Sequence, residues 1–197
     1  MILRRRMVRA FEDRPVDPEV VDRMLEHALH APSAGFSQGW AFLVLTEPHD
    51  RKRFWDAVFP DRSDAGFVHQ GLFGAGCVIV PLSHKQAYLD RYAEPDKGWT
   101  DRDEGRWPVP YWDIDTGMAT MLILLTAVDE GLGALFFGIF PQHVDSFREA
   151  FGVPSAYTPI GAVAVGHRAP DVPSPSLRRG RRGTDEVVHR GRWRSPT

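Results

Sequence analysis

The sequence predicts one domain of the α+β or α/β class, on three observations. Apolar runs of strand length alternate with helical periods along most of the chain, one segment at 117–128 is apolar nearly all round, and turn residues separate these runs at short intervals. With 197 residues, 43% of them apolar and 11% aromatic, the chain has material for a single packed core.

The first helix opens at Asp17-Pro18, an acidic N-cap followed by proline at the first helical position. Val20, Val21, Met24, Leu25, Ala28 and Leu29 then recur at helical spacing. It stops at Ala31-Pro32-Ser33-Ala34-Gly35, because the residue before a proline is pushed out of the helical region, and a loop follows. Ala41–Leu45 reads as a strand buried on both faces, and 47–58 as a helix with Phe54 and Trp55 inward. Cys77–Leu82 is a second strand. Residues 87–110, rich in charge, Trp, Pro and Gly, show no sustained period and read as a mobile lid. The run 117–128 is the central core helix, ended by Gly131-Leu132-Gly133. A strand over 134–140, an amphipathic helix over 144–151 and a last buried strand over 160–165 complete the pattern. After His167 the composition turns to Pro, Ser, Arg and Gly. Such a tail cannot build its own core and either dangles or wraps a partner subunit, and Val187, Val188 and Trp193 favour wrapping.

Composition and motifs exclude several classes. The formal net charge of −2 gives no general attraction to nucleic acid, so anion binding must come from local clusters. Cys77, the one cysteine, sits in an apolar run, reads as a core thiol and has no local His partner for thiol catalysis. The start Met1-Ile2-Leu3-Arg4-Arg5-Arg6 lacks the apolar stretch of a signal peptide, and no apolar run approaches the roughly 18 residues of a membrane span, so a cytoplasmic protein with no membrane partner is expected. Neither Gly74-Ala75-Gly76 nor Gly131-Leu132-Gly133 extends to a dinucleotide fingerprint, and no metal motif is present; His27 and His30 read as a polar helix edge. What remains is arginine, at 4, 5, 6 and 9 and again at 178, 179, 181 and 182. Three readings fit: two segments folded together to grip a phosphomonoester, two solvated tails, or nonspecific contact with nucleic acid.

Along most of its length the sequence resembles the FMN-dependent nitroreductase family. The family's opening R-x-S-x-[RK]-x-F is similar to Arg5-Arg6-Met7-Val8-Arg9-Ala10-Phe11, and its A-P-S-x-x-N-x-Q-P-W to Ala31-Pro32-Ser33-Ala34-Gly35-Phe36-Ser37-Gln38-Gly39-Trp40. Its central helix and G-L-G look like 117–133, its glycine turn like Gly138-Ile139-Phe140, its P-x-G-x-x-x-x-G-H strand like 159–167, and its closing K-x-R-x-P-x-x-E-V-V like 179–188. Met7, Phe36 and Gly39 depart from the family's Ser, Asn and Pro.

The resemblance implies an α+β, three-layer nitroreductase-like fold: a central, mostly antiparallel sheet flanked by helices, forming one domain over 1–197. It implies a substrate-site lid at 88–112 and a C-terminal arm at 168–197 that extends over the partner of a homodimer. It implies FMN at the subunit interface, with Arg5, Arg9, Arg179 and Arg181 on the phosphate and Arg6 and Met7 along the flavin or its ribityl chain. Ser33 and Ala34 come from the partner, Gln38 supports the loop, and Gly138 and Ile139 line the ring system. Phe36, Trp107, Tyr111 and Trp112 are expected at the substrate. His69 and Gln70 are the nearest candidates for the flavin's pyrimidine edge. The implied activity passes hydride from NADH or NADPH through flavin N5 to a nitroaromatic or quinone by ping-pong chemistry, with no catalytic side chain and no metal. A dehydrogenase or dehalogenase of the same fold, or a noncatalytic flavin-binding protein, are the alternatives.

Overall fold

The computed structural model describes residues 1–62 and 69–193. In chain order the elements are α1 (Pro18–Leu29), β1 (Trp40–Leu45), α2 (Pro48–Val58), β2 (Cys77–Ser83), α3 (Lys85–Ala93), α4 (Tyr111–Asp129), β3 (Gly133–Phe137), α5 (Val144–Phe151), β4 (Thr158–Pro159), β5 (Ala162–Gly166) and α6 (Thr184–Val187). The strands form one antiparallel sheet in the order β1-β2-β5-β3, with the short β4 also paired to β2. Leu43 lies opposite Val80, Val78 opposite Ala164, and Ala164 opposite Leu135.

Strand alternation sorts the core onto the two faces of this sheet. Val78, Val80 and Ala164 face Phe54, Trp55, Val58 and Phe147 of α2 and α5. Cys77, Ile79, Val163 and Val165 face Val21, Met24 and Ala28 of α1 and Ala119, Ile123 and Ala127 of α4. The result is three layers, α1 and α4, the sheet, then α2 and α5, so the expected fold class holds.

Local chemistry explains the boundaries. The Asp17 carboxylate accepts from the Glu19 amide at 2.9 Å while Pro18 occupies the first turn, as the sequence predicts. Three expectations need correction. The segment expected to lack regular structure begins with α3, a short polar helix that buries Tyr88 and Leu89. The core helix starts at Tyr111 rather than 117. β1 is half-buried along 40–44 because it is the outermost strand, so only Leu45 is fully covered. Ile114, Met118 and Met121, one turn apart on α4, stand exposed in the single chain although the helix is apolar nearly all round.

Cys77 is fully buried, as expected, and burial pushes its thiol up to about 12. His27 is exposed and its Nδ1 lies 2.8 Å from the Thr126 hydroxyl. Among the described residues no helix is long and apolar enough to cross a membrane.

Candidate functional site

The N-terminal segment runs extended beside β3. The Val8 amide donates to the Ala134 carbonyl at 3.0 Å, Met7 forms a parallel bridge with Ala134, and Phe11 forms an antiparallel bridge with Arg168 just after β5. Burial of Val8 and Phe11 anchors the segment in the core, so the neighbouring arginines are carried to a defined place. The tail then folds back over it: the Ala169 amide donates to the Ala10 carbonyl at 3.1 Å, and the Arg9 amide donates to Asp171 Oδ2 at 2.7 Å.

Between these segments lies a cavity of about 550 Å³, whose charged lining is Arg5, Arg6, Arg9, Arg168, Asp171 and Arg181, with Met7 beside them. Five guanidinium groups thus face one carboxylate, a strongly positive concavity. The structure brings together Arg5, Arg6, Met7, Arg9 and Arg181 from opposite ends of the sequence. Arg179, at the end of a 3-10 turn over Pro175–Arg179, does not line the cavity, and Arg182 pairs with Glu186 at 3.2 Å.

The guanidiniums are not equivalent. Arg6 Nη1 donates back to the Leu3 and Arg5 carbonyls at 2.8 and 3.0 Å, Arg9 Nη1 to the Met7 carbonyl at 3.3 Å, and Arg168 Nη2 to the Leu132 carbonyl at 3.1 Å. Arg5 Nη1 is buried and has no hydrogen-bond partner among the described residues. A buried donor left this way costs free energy unless an acceptor enters the cavity. Sequence reasoning missed Arg168 and Asp171. The available signal was their position, directly after the G-H end of a predicted strand and opposite the N-terminal arginines.

The loop after α1 contains a single 3-10 turn over Ala34–Phe36, with Gly35, Phe36 and Gln38 all at positive φ. The Ala34 amide donates to Asp115 Oδ2 at 2.8 Å, and the Gln38 amide donates to the Ser33 hydroxyl at 3.0 Å. The Tyr88 hydroxyl donates to the same Asp115 oxygen at 2.9 Å, and its burial, with the carboxylate beside it, raises its pKa. Gly39 is accounted for here: a β-carbon would lie 2.5 Å from Tyr88 Cε2, so no larger residue fits. Among the described residues none from 33–38 lines the arginine cavity of its own chain.

The Gly138-Ile139 turn follows β3. Ile139 packs on the α2 and α5 side of the core, whereas the space beyond Gly138 is open. At about 3.3 Å per residue, Gly138 lies about 13 Å along the strand from Ala134, the residue paired with Met7.

Trp107, Tyr111 and Trp112 belong to an aromatic cluster with Tyr88, Tyr92 and Trp99, centred on Trp107 with ring separations of 4.5 to 6.1 Å. None of the three lines the arginine cavity, and Trp107 Nε1 is buried with no partner among the described residues. His69 and Gln70 are exposed, and Gln70 donates to the Arg62 carbonyl at 2.8 Å. Among the described residues no group of three or more His, Cys, Asp or Glu side chains is placed to hold a metal ion.

Comparison with known proteins adds a second line of evidence. The pattern of the Nitroreductase family matches residues 2–167. A protein of Archaeoglobus fulgidus named NADH dehydrogenase/NAD(P)H nitroreductase is 27% identical over 195 residues, covering 98% of this chain and 97% of that one. Among solved structures, an FMN-dependent nitroreductase of Clostridium difficile superposes with a TM-score of 0.67 at 21% identity over 96% of each chain. Nitroreductase A of Vibrio parahaemolyticus gives 0.73 at 19% identity, over 100% of this chain and 76% of that one. At these identities the two structures speak for the fold.

Proposed function

The chain belongs to the nitroreductase family of oxidoreductases, and from that premise we propose that it is an FMN-dependent enzyme passing hydride from NADH or NADPH to an electron-poor acceptor, a nitroaromatic or quinone, as a homodimer. The observation that carries this reading is Arg5: a buried guanidinium nitrogen with no partner among the described residues, in the wall of a cavity lined by four other arginines. A dianionic phosphate supplies the acceptors such a donor lacks, and guanidinium forks match phosphate oxygens bidentately. The cavity volume of about 550 Å³ is in the range of cofactor sites.

In this reading Arg5, Arg9 and Arg181 hold the phosphate, Arg168 adds to the positive field, and Arg6 and Met7 lie along the ribityl chain. Arg179 stands outside the cavity of the single chain, so the C-terminal half of the grip rests on Arg181. The open side of Gly138 lets backbone approach the flat ring, and Ile139 forms an apolar floor. FMN held there would supply two-electron transfer between a nicotinamide and the acceptor. The chain supplies orientation, positive charge and exclusion of water, and no side chain has to act as general acid.

Two features support a homodimer. The loop bearing Ser33, Ala34 and Gln38 takes no part in its own chain's cavity, which fits its serving a second copy. The exposed Ile114, Met118 and Met121 face of α4, with Val187, Val188 and Trp193 of the tail, is apolar surface that a second copy covers. Trp107, Tyr111 and Trp112 are assigned to the acceptor slot, and 88–112 to its cover.

The absorbance spectrum of the purified protein tests the proposal. A flavin spectrum bleached anaerobically by NADH or NADPH and restored by a quinone is expected. A colourless protein that cannot be reconstituted with FMN refutes it, and a yellow protein that neither nucleotide bleaches refutes the catalytic part.

A further inference from the structure

Among the described residues Asp171 is the one acid in the lining of the arginine cavity, and none of the arginines pairs with it. Elsewhere the chain matches guanidiniums with carboxylates: Arg23 with Glu130 at 2.7 Å, Arg91 with Asp96 at 2.7 Å and Arg106 with Asp101 at 2.6 Å. Among the described residues Arg5, Arg6, Arg9, Arg168 and Arg181 make no ion pair with any acid. Asp171 Oδ2 accepts instead from the Arg9 backbone amide at 2.7 Å, and two residues earlier the Ala169 amide donates to the Ala10 carbonyl at 3.1 Å. Arg5 Nη1 stays without a partner while the carboxylate sits on that amide.

A carboxylate on a backbone N–H makes the same charge-assisted contact that a phosphate oxygen makes. The ligand-free chain thus already keeps an anion in the concavity, taken from its own tail. One negative charge among five positive ones offsets part of their mutual repulsion. The same charge repels an incoming phosphate. Taken as a sphere, a cavity of about 550 Å³ is about 10 Å across, no more than the Debye length in 0.1 M salt, so a phosphate anywhere inside it feels Asp171. The carboxylate is exposed, which keeps the effect modest.

Resting on the flavin-binding reading above, we propose that Asp171 is a built-in rival of the ligand's phosphate. Its carboxylate stabilises the empty cavity, lowers the affinity for phosphate-bearing ligands and so sets how strongly the site prefers FMN to riboflavin.

Asp171→Asn tests this, because it removes the charge and keeps an oxygen for the Arg9 amide, so the tail stays fastened. Flavin-free wild type and variant are titrated with FMN and with riboflavin by fluorescence quenching. The variant should bind FMN about fivefold more tightly at low salt, a gain that fades above about 0.5 M sodium chloride, and riboflavin as wild type does. In thermal melts the ligand-free variant should unfold at a slightly lower temperature, and inorganic phosphate should raise its midpoint further than that of wild type at matched ionic strength. Weaker FMN binding by the variant overturns the proposal and makes Asp171 a positioning residue; unchanged binding overturns it as well. An equal gain for riboflavin also overturns it, since that flavin carries no phosphate. A wild type that binds neither flavin refutes the earlier reading, and the phosphate melts then decide alone: a larger rise in the variant supports the rivalry, and an equal or smaller one overturns it.

Discussion

Replacing Arg5 by alanine should have different consequences for the two states of the protein. In the ligand-free chain, Arg5 Nη1 is buried without a partner among the described residues, so removing it deletes an uncompensated donor and leaves stability unchanged or raised. With FMN bound, the same change removes a charge-assisted hydrogen bond of about 1.5–3 kcal/mol, which weakens binding about 10- to 150-fold. At one FMN concentration above both dissociation constants, ligand-induced stabilisation falls by the same amount. For a chain of 197 residues each kcal/mol moves the midpoint about 2–4 °C, so the rise caused by FMN should shrink by about 3–12 °C. Thermal melts followed by circular dichroism, with and without FMN, measure both effects. A variant whose ligand-free midpoint drops as far as its FMN-bound one, or which keeps the full FMN-induced rise, refutes the reasoning.

Arg181→Ala should weaken FMN binding about tenfold whereas Arg179→Ala changes it less than about twofold, since only Arg181 lines the cavity; equal effects in a fluorescence-quenching titration count against this placement. Gly39→Ala forces a β-carbon against the Tyr88 ring, and a loss of about 1–3 kcal/mol in urea unfolding is expected; a neutral substitution contradicts the close packing. The Cys77 thiol titrates near 9 when unfolded and is pushed up to about 12 by burial, so the unfolded state gives up its proton first and stability falls as pH rises through that window. The slope approaches about 1.4 kcal/mol per pH unit from this group alone, with Tyr88 acting in the same sense, and Cys77→Ala should flatten it; an unaltered slope refutes the assignment.

What the sequence discloses and what it hides follow from the range of the interactions involved. The Asp17-Pro18 start of α1 and the amphipathic α5 were legible because capping and periodicity are local. α3 was not, because Lys85, Gln86, Asp90 and Arg91 interrupt its apolar residues and its inward residues, Tyr88, Leu89 and Tyr92, take meaning only from the cluster around Trp107. β1 read as doubly buried because an apolar run carries no information on its place at the sheet's edge. The arginine cavity was half legible: Arg5, Arg6, Met7, Arg9 and Arg181 were reached through motif resemblance, while Arg168 and Asp171 enter only when the tail folds over the N-terminal segment. The left-handed turn at Gly35 and Phe36 depends on Asp115, far along the chain, and no local pattern announces it.

If the arginine cavity grips a phosphate, titration of the flavin-free protein with FMN and with riboflavin isolates the contribution of that group. FMN should bind at least about a hundredfold more tightly than riboflavin, the worth of two charge-assisted hydrogen bonds, and the difference should shrink with added salt. Equal affinity for the two flavins would contradict it.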